Sequence, residues 1–323
     1  MAFRPRYIAD LLCLCASIWI VALLAGCSDR AKPPVATAPP PARIVSTVPD
    51  YVASPQIADG ETSTGPRRIV STSPQLTEIA CALGLRDSLV GRSSYCSHPP
   101  GIDQVPNVGG LLDLNLELLV QLKPDLVLIS GRSELIRTRL TDLRIDFVSL
   151  PDSSLNDIYL AIEELGKLTH RNKTAARLNE AIRSDLQRLA DEYAAQQPYN
   201  VLLLTARLID PPRSPYVAGP GSYLSSLLEM LGHRNAASRL ARPYGQLSLE
   251  EILTVNPDVI IEFRAPDPAD PEACAEAYRT WAKLGPLQAV TNQRLRLVAE
   301  QMHLVPGPRV AMTLRELIRN IPE

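Results

Sequence analysis

Short apolar runs rich in β-branched residues alternate with patterns of helical period from residue 67 to residue 155. This alternation is typical of βαβ units, in which consecutive strands form a parallel sheet. Pro74 opens the first predicted helix and Gly84 closes it, because proline favours the first turn of a helix and glycine the position just past its end. The predicted strands are 68–72, 88–94, 125–130 and 146–151, and the other predicted helices are 115–122 and 133–143.

Between residues 155 and 196 only helical spacing is present, and residues 172–195 predict one long amphipathic helix. The residues expected on its apolar side are Ala176, Leu178, Ile182, Leu186 and Leu189. The alternation then resumes, with predicted strands 200–205, 258–263 and 294–299 and predicted helices 221–231, 248–254, 272–283 and 308–320. We therefore predict an α/β fold of two Rossmann-like α/β lobes, 67–155 and 198–323, joined by a connector, 156–197, that contains a single long backbone helix.

One helix–turn–strand unit is written twice, as "LNLELLVQLKPDLVLI" from residue 114 and "LSLEEILTVNPDVIIE" from residue 247. A glutamate, Glu117 or Glu250, stands at the same place in each copy, and so does a Pro-Asp pair. The unit could be a generic way to end a helix and enter a buried strand. A carboxylate in the first helical turn gains only about 0.3–1 kcal/mol from the helix dipole. Structure alone does not require both glutamates, so structural and functional interpretations stay open here.

The N-terminus has the layout of a secretory signal, in which two arginines are followed by an apolar run ending in "LLAGCSDR". Small residues before a cysteine are typical of a bacterial lipoprotein signal peptide, here residues 1–26, and make Cys27 the predicted site of lipidation. An uncleaved membrane anchor is the alternative, because the apolar run approaches spanning length. Residues 27–66 are rich in Pro, Ala, Ser and Thr, which predicts a disordered, extended tether.

Charge and cysteine content exclude two classes of protein. The net charge of −2 comes from 33 basic and 35 acidic residues without a basic block, so nucleic acid is not an expected partner. Cys81, Cys96 and Cys274 remain after the signal and the lipidated cysteine are set aside. They lack CxxC spacing, so one disulfide is possible but a disulfide framework is not.

Residues 67–323 resemble the periplasmic binding proteins that serve ABC importers of vitamin B12, iron-siderophores and haem. The resemblance is carried by "RRIVSTSPQLTEIA", the "VGRSSYCSHPP" turn, the "LNLELLVQLKPDLVL" unit, the single long helix and "PGPR" from residue 306. Within that family the "SSYCSHPP" stretch is most similar to the vitamin B12-binding branch. The resemblance implies a monomeric transport protein and not an enzyme, whose partner is an importer permease. It further implies that Glu117 and Glu250 dock onto that permease, with Glu251 as an adjacent competitor for the second role.

The resemblance also implies a ligand cleft between the lobes, lined by loops at the carboxyl ends of the strands. The expected ligand is a cobalt- or iron-containing chelate, a corrinoid first, and no resident cofactor or metal is expected. Arginine suits an anionic chelate as well, so a siderophore or haem stays an alternative. The candidate ligand-binding residues are Tyr95, His98, Ser130, Arg132, Tyr216, Arg264 and His303.

The residues leave two other functions open, an enzyme with a cysteine nucleophile and a metal-ion binder. Cys96 and His98 lie two positions apart, and a Cys/His pair can form a nucleophile, but spacing alone does not place them to share a proton. Cys96, His98 and His303 could in principle bind a bare metal ion. A GxxxxGK[ST] phosphate loop and an HExxH zinc motif are both absent from the sequence.

Overall fold

A computed structural model describes residues 61, 65–110, 113–131, 133–206, 213–263 and 270–322. The N-terminal lobe is built on a four-stranded sheet in the order β2-β1-β3-β4, and all of its pairings are parallel. The predicted βαβ alternation of this lobe is confirmed. Its strands are β1 (Ile69–Ser71), β2 (Leu89–Arg92), β3 (Leu126–Ser130) and β4 (Phe147–Leu150), and its helices are α1 (Pro74–Ala82), α2 (Leu116–Leu122) and α3 (Glu134–Asp142).

The connector consists of two helices, α4 (Leu155–Leu168) and α5 (Asn172–Glu192), which pack against each other. The long helix is confirmed, but the turn before it was not located from the sequence. Gly166 permits the close approach of the two helices, since a methyl group at that position would lie 2.5 Å from the Cβ of Ala175. On α5 the predicted apolar residues are buried except Ala176, which is exposed because it lies outside the stripe that faces the core.

The C-terminal lobe carries a six-stranded sheet in the order β10-β9-β5-β6-β8, with β7 beside β5. The predicted parallel strands are present, but the β6–β8 pair is an antiparallel ribbon that the sequence pattern did not predict. The strands are β5 (Asn200–Leu204), β6 (Tyr216–Ala218), β7 (Arg234–Asn235), β8 (Tyr244–Gln246), β9 (Val259–Phe263) and β10 (Leu295–Val298). The helices are α6 (Tyr223–Met230), α7 (Leu249–Val255), α8 (Pro271–Ala282), α9 (Gln288–Thr291) and α10 (Val310–Asn320).

One hydrophobic core runs through both lobes. It joins side chains of β1 and α1 to side chains of β5, α6 and α10 through α4 and α5. The outer face of each sheet has a separate, smaller core, with Val127 and Ile129 in the N-terminal lobe and Leu202 and Trp281 in the C-terminal lobe. Because close-packed side chains resist separation, the shared core ties the two sheets together.

A buried ion pair reinforces that connection. Arg309, just before α10, donates two hydrogen bonds to the carboxylate of Glu78 on α1, with 2.9 Å between Nε and Oε2. The Glu78 side chain is almost fully buried, and that of Arg309 is largely so. Paired geometry of this kind is what makes a buried carboxylate tolerable. The pair therefore links the first helix of the N-terminal lobe to the last helix of the C-terminal lobe.

Glu61, which lies in the predicted tether, contacts the folded body. Its carboxylate accepts hydrogen bonds from the backbone N–H of Lys173 at 2.6 Å and from the Thr174 hydroxyl at 2.5 Å. The backbone carbonyl of Glu61 accepts a third from Arg171 Nη1 at 3.2 Å. The residue before α5, Arg171, offers no side-chain cap of its own, so Glu61 satisfies the first donors of the long helix from outside it.

Two further predictions bear on the fold. Cys81, Cys96 and Cys274 are all free thiols, so the possible disulfide does not form among them. Within the described ranges, each helix is too short or too polar to cross a membrane. The predicted signal peptide and the lipidation site Cys27 lie outside the described residues.

We predict that Arg309→Ala lowers the free energy of unfolding by about 3–5 kcal/mol, because it removes the cation that compensates the buried Glu78 carboxylate. Urea denaturation followed by circular dichroism measures the loss. The matched control is Arg319→Ala, which removes the more exposed ion pair with Glu316 and should cost at most about 1 kcal/mol. The double variant Glu78→Leu/Arg309→Met should lose less than Arg309→Ala, and equal losses in Arg309→Ala and Arg319→Ala would contradict the assignment.

We predict that Glu61→Ala lowers the free energy of unfolding by about 1 kcal/mol at pH 7, as expected for a lost helix cap. Burial raises the pKa of the Glu61 carboxyl, but hydrogen bonds from Thr174 and Lys173 outweigh it, and the net pKa is lowered. The stabilisation is therefore fully present above the pKa of an unfolded glutamate, about 4.3. It is lost as the pH falls through the lower folded-state value.

Urea titrations of both forms at pH 7 and at acidic pH measure this difference. Glu180→Ala, an exposed acid on the same helix, is the control and should change little. A Glu61→Ala deficit that stays constant down to the acid unfolding limit would refute the capping role.

Candidate functional site

Tyr95 lies in the loop that follows the carboxyl end of β2. Its side chain is 70% exposed, the largest exposure of any bulky apolar or aromatic residue among those described. The ring rests beside Gly110, because a methyl group at Gly110 would come within 2.8 Å of Cε2 of Tyr95. Gly110 in turn donates its N–H to Asp113 Oδ1 at 2.8 Å. One part of the Tyr95 ring is thus supported by backbone, and the rest is open to solvent.

Ser130 ends β3 and forms part of a polar cluster with the residues that follow β4. Its hydroxyl donates to Asp152 Oδ2 at 2.7 Å. Gly131 adopts φ = 68° beside the same carboxylate, and its carbonyl accepts from the Ser149 hydroxyl. Since Ser130 and Asp152 follow neighbouring parallel strands, both lie at the carboxyl edge of the N-terminal sheet, where ligands bind in open α/β sheets.

The C-terminal lobe contributes two tyrosines from its antiparallel ribbon. In the β6–β8 ribbon, Tyr216 pairs with Gln246 and Ala218 pairs with Tyr244, so Tyr216 and Tyr244 lie on the same face of the ribbon. Tyr216 is exposed, whereas Tyr244 is partly buried. Burial raises the pKa of the Tyr244 phenol, and the nearby Asp152 carboxylate raises it further. Asp152 of the N-terminal lobe therefore lies near Tyr244 of the C-terminal lobe.

The lobes also touch directly beneath this surface. Tyr223 N–H donates to the Ser153 carbonyl at 2.9 Å, and the buried Tyr223 hydroxyl donates to the His303 carbonyl at 2.6 Å. The His303 ring is buried beside Phe263, with 6.3 Å between the ring centroids. Burial lowers the pKa of His303 to about 4, so this side chain is neutral at physiological pH. His303 lies under the surface and not on it.

Three of the seven candidate ligand-binding residues remain, namely His98, Arg132 and Arg264. His98 is partly exposed and precedes Pro99 through a cis peptide bond. Arg132 and Arg264 lie outside the described residues. Ligand contacts by any of the seven candidates stay predictions. The structure gathers Tyr95, Ser130 and Tyr216 at or beside the carboxyl edges of the two sheets, and it adds Asp152 and Tyr244, which the sequence interpretation missed.

The repeated unit has the same local structure in both lobes. Asn115 and Ser248 cap the N-termini of α2 and α7 with their side chains, and both helices have seven residues. Both end at a left-handed residue, Lys123 with φ = 47° and Asn256 with φ = 44°. A proline follows each, as is common after such a C-cap. The two copies are therefore structurally equivalent, residue by residue.

The aspartate of each copy has a structural role. Asp125 accepts the backbone N–H groups of Arg67 at 2.9 Å and Arg68 at 3.0 Å, just before β1. Asp258 accepts the N–H of Asn200 at 2.8 Å, at the start of β5. Each aspartate thus pairs its own strand with the beginning of the neighbouring strand, which explains why the Pro-Asp pair recurs.

The glutamates have no comparable structural role. Glu117 and Glu250 both occupy the second helical position after the cap residue, and both are exposed. Glu251, by contrast, closes a capping box by accepting from the Ser248 N–H at 2.8 Å and the Ser248 hydroxyl at 2.6 Å. Those bonds lower the pKa of Glu251. The geometry therefore separates the two neighbours, with Glu251 serving the helix and Glu250 directed to solvent.

The sulfur of Cys96 does not have the environment of an activated nucleophile. It is buried within 3.1 Å of the Thr77 hydroxyl, and burial raises its pKa, whereas reactive cysteines have lowered values. Within the described ranges, no group of three or more His, Cys, Asp or Glu side chains is arranged to hold a metal ion.

Comparison with known proteins identifies relatives of the whole folded body. A family described as periplasmic binding protein matches residues 69–263. The uncharacterized ABC transporter substrate-binding lipoprotein YvrC of Bacillus subtilis is 29% identical over 265 residues, covering 79% of this chain and 80% of that protein. A vitamin B12-binding protein of Vibrio cholerae is 28% identical over 245 residues, covering 75% of this chain and 84% of that protein.

The fold is likewise similar to solved structures. A protein of Staphylococcus epidermidis, described as a possible iron-binding (periplasmic solute-binding) protein, superposes with a TM-score of 0.68 at 25% identity. The superposition covers 80% of this chain and 100% of that one. The two-lobed α/β architecture predicted from the sequence is confirmed by this likeness.

We predict that the two acidic positions of the repeat differ in their effect on stability. Asp125→Ala and Asp258→Ala should each lower the free energy of unfolding by about 0.5–1.5 kcal/mol, because backbone donors lose their acceptor. Glu117→Gln and Glu250→Gln should change it by no more than about 0.5 kcal/mol. Urea denaturation of the four variants tests this, and a large loss in either glutamine variant would mean that its carboxylate is structural.

Proposed function

The chain belongs to the periplasmic binding protein family, and on that premise we propose that it is the lipid-anchored receptor of an ABC importer that captures a corrinoid and delivers it to the permease. The family consists of binding proteins of transport systems and not of enzymes, so the alternative of a Cys96 nucleophile is wrong. Its members bind vitamin B12, haem or siderophores outside the cytoplasmic membrane. The proposal assigns the lipid anchor to Cys27 and the ligand to the corrinoid class.

The observation that carries the corrinoid assignment is the open, supported ring of Tyr95. It lies in the "SSY" turn just past the carboxyl end of β2, and Tyr216 is exposed beside the carboxyl end of β5 in the other lobe. Aromatic rings provide broad, rigid contact surfaces for a large flat ligand. The polar cluster of Ser130 and Asp152 supplies acceptors and a hydroxyl at the carboxyl edge of the N-terminal sheet. The vitamin B12-binding relative supports the same ligand class.

Delivery to the permease is supported by Glu117 and Glu250. Two carboxylates at equivalent positions of two lobes form a two-point charged surface, and complementary charges fix orientation and accelerate encounter. Neither glutamate is needed by its own helix, because Asn115 and Ser248 already cap those helices. We assign to Glu117 and Glu250 the contacts with cationic side chains of the permease.

An iron-siderophore or haem is the second candidate ligand. The likeness to a possible iron-binding protein favours it. An anionic chelate would meet the Asp152 carboxylate at the carboxyl edge of the N-terminal sheet, and like charges repel. For this reason we rank a corrinoid above an anionic iron chelate as the ligand.

The test is a titration of the protein beginning at Ser28, which retains Glu61, against cobalamin, haem and a ferric siderophore. Cobalamin should bind most tightly. Tyr95→Ala should weaken cobalamin binding about tenfold or more, since a buried tyrosine anchor is worth upwards of about 1.4 kcal/mol. Gly110→Ala should act in the same direction, because it displaces the Tyr95 ring while leaving the side chain in place.

Tyr193→Ala is the matched control. Tyr193 is also exposed but lies at the end of α5, away from the lobe–lobe surface, and its removal should leave cobalamin affinity unchanged. Tighter binding of haem or siderophore than of cobalamin would transfer the assignment to that ligand. Absence of binding to all three would overturn the proposed ligand classes.

A further inference from the structure

Each copy of the repeated unit exposes an aliphatic side chain one helical turn after its glutamate. Val120 follows Glu117 by three residues and is 48% exposed. Leu253 follows Glu250 by three residues and is 40% exposed. Residues three apart on a helix lie on the same face, so each lobe shows a carboxylate and an apolar side chain side by side.

A single exposed aliphatic residue is ordinary and needs no explanation. Here the exposure recurs at equivalent positions of the two copies, and so does the burial of the residue just before each of them. The preceding residues of the two copies, Leu119 and Ile252, are fully buried, while Val120 and Leu253 are not. The local structure does not demand an aliphatic side chain at either position, since Gln121 and Thr254, the next residues, are polar and exposed.

We propose that Val120 and Leu253 are part of the docking surface of this protein, so that each lobe binds the permease through a paired carboxylate and aliphatic contact. This inference rests on the proposed function and specifies the chemistry of the partner. The permease should present, at each of its two contact points, a cationic side chain next to a small apolar depression. The cation meets Glu117 or Glu250, and the depression receives Val120 or Leu253.

The charged and the aliphatic contacts should affect different rate constants of binding. Exposed charges steer the encounter and act mainly on the association rate, which salt reduces. An apolar side chain removed from water acts mainly on the dissociation rate. Partial burial of Val120 or Leu253 against an apolar seat corresponds to about a five- to tenfold change in affinity for each contact.

The experiment measures binding of the purified protein to the ABC importer of the same organism, reconstituted in nanodiscs, at several salt concentrations. Val120→Thr keeps the shape of the side chain, and Leu253→Gln keeps roughly its length. Each should raise the Kd about five- to tenfold through faster dissociation, with an unchanged salt dependence of association. The double variant should show roughly the product of the two effects, because the sites lie on different lobes.

Two leucines outside the repeat serve as matched controls. Leu160 on α4 is 40% exposed and Leu135 on α3 is 58% exposed. Leu160→Gln and Leu135→Gln should leave binding to the importer unchanged. Equal weakening in these controls would show a general effect of surface hydrophobicity and would overturn the inference.

Glutamate variants separate the inference from the proposed function. If Glu117→Gln and Glu250→Gln slow association and flatten its salt dependence while Val120→Thr and Leu253→Gln bind normally, the aliphatic contact is wrong and the receptor function stands. If all four bind normally, docking through these two helices is wrong as well. Sedimentation of each variant completes the test. If Val120→Thr or Leu253→Gln abolishes a dimer and leaves importer binding unchanged, these side chains form a self-association surface, which would contradict the proposal.

Discussion

The buried pairing of Glu78 with Arg309 is the contact on which the arrangement of the two lobes depends. A carboxylate removed from water is costly unless a cation and its hydrogen bonds compensate, and Arg309 reaches Glu78 only when the turn before α10 lies beside α1. The shared hydrophobic core acts in the same sense, because α4 and α5 pack against elements of both sheets. Movement of one lobe relative to the other would have to stretch the ion pair and open a close-packed core. The relative position of the two sheets is thereby largely set before any ligand arrives.

Much of the scaffold was predictable because it is locally encoded. The parallel strands are short apolar runs bounded by turn residues, and Pro74, Pro124 and Pro257 mark where helices begin or end. The antiparallel β6–β8 ribbon was not predictable. Its strands have three residues each, too few for a period to show, and its pairing is decided by contacts distant in sequence. The turn between α4 and α5 was missed for a similar reason, since helical spacing continues through it.

The functional surface was predictable only in part. The rule that ligands bind at the carboxyl ends of parallel strands identified Tyr95, Ser130 and Tyr216 as candidates. The same rule applied to the end of β4 would have identified Asp152. Tyr244 could not have been found in this way, because it depends on the unpredicted ribbon. The sequence assigned the second docking role to Glu250 by its register with Glu117 but left Glu251 as a competitor. The capping geometry of Ser248 adds a structural distinction, since the Glu251 side chain bonds its own helix terminus.

The contact of Glu61 with the start of α5 has a mechanical consequence. The chain between the N-terminus and β1 passes this clamp before it enters the N-terminal sheet, in which β1 is an inner strand. Tension applied from the N-terminal side therefore reaches the end of a long, well-packed helix first. The hydrogen bonds that Glu61 accepts from Arg171, Lys173 and Thr174 must break before the load can begin to peel β1 from its neighbours. The contact at Glu61 would in this way shield the N-terminal sheet from a pull on the chain that precedes it.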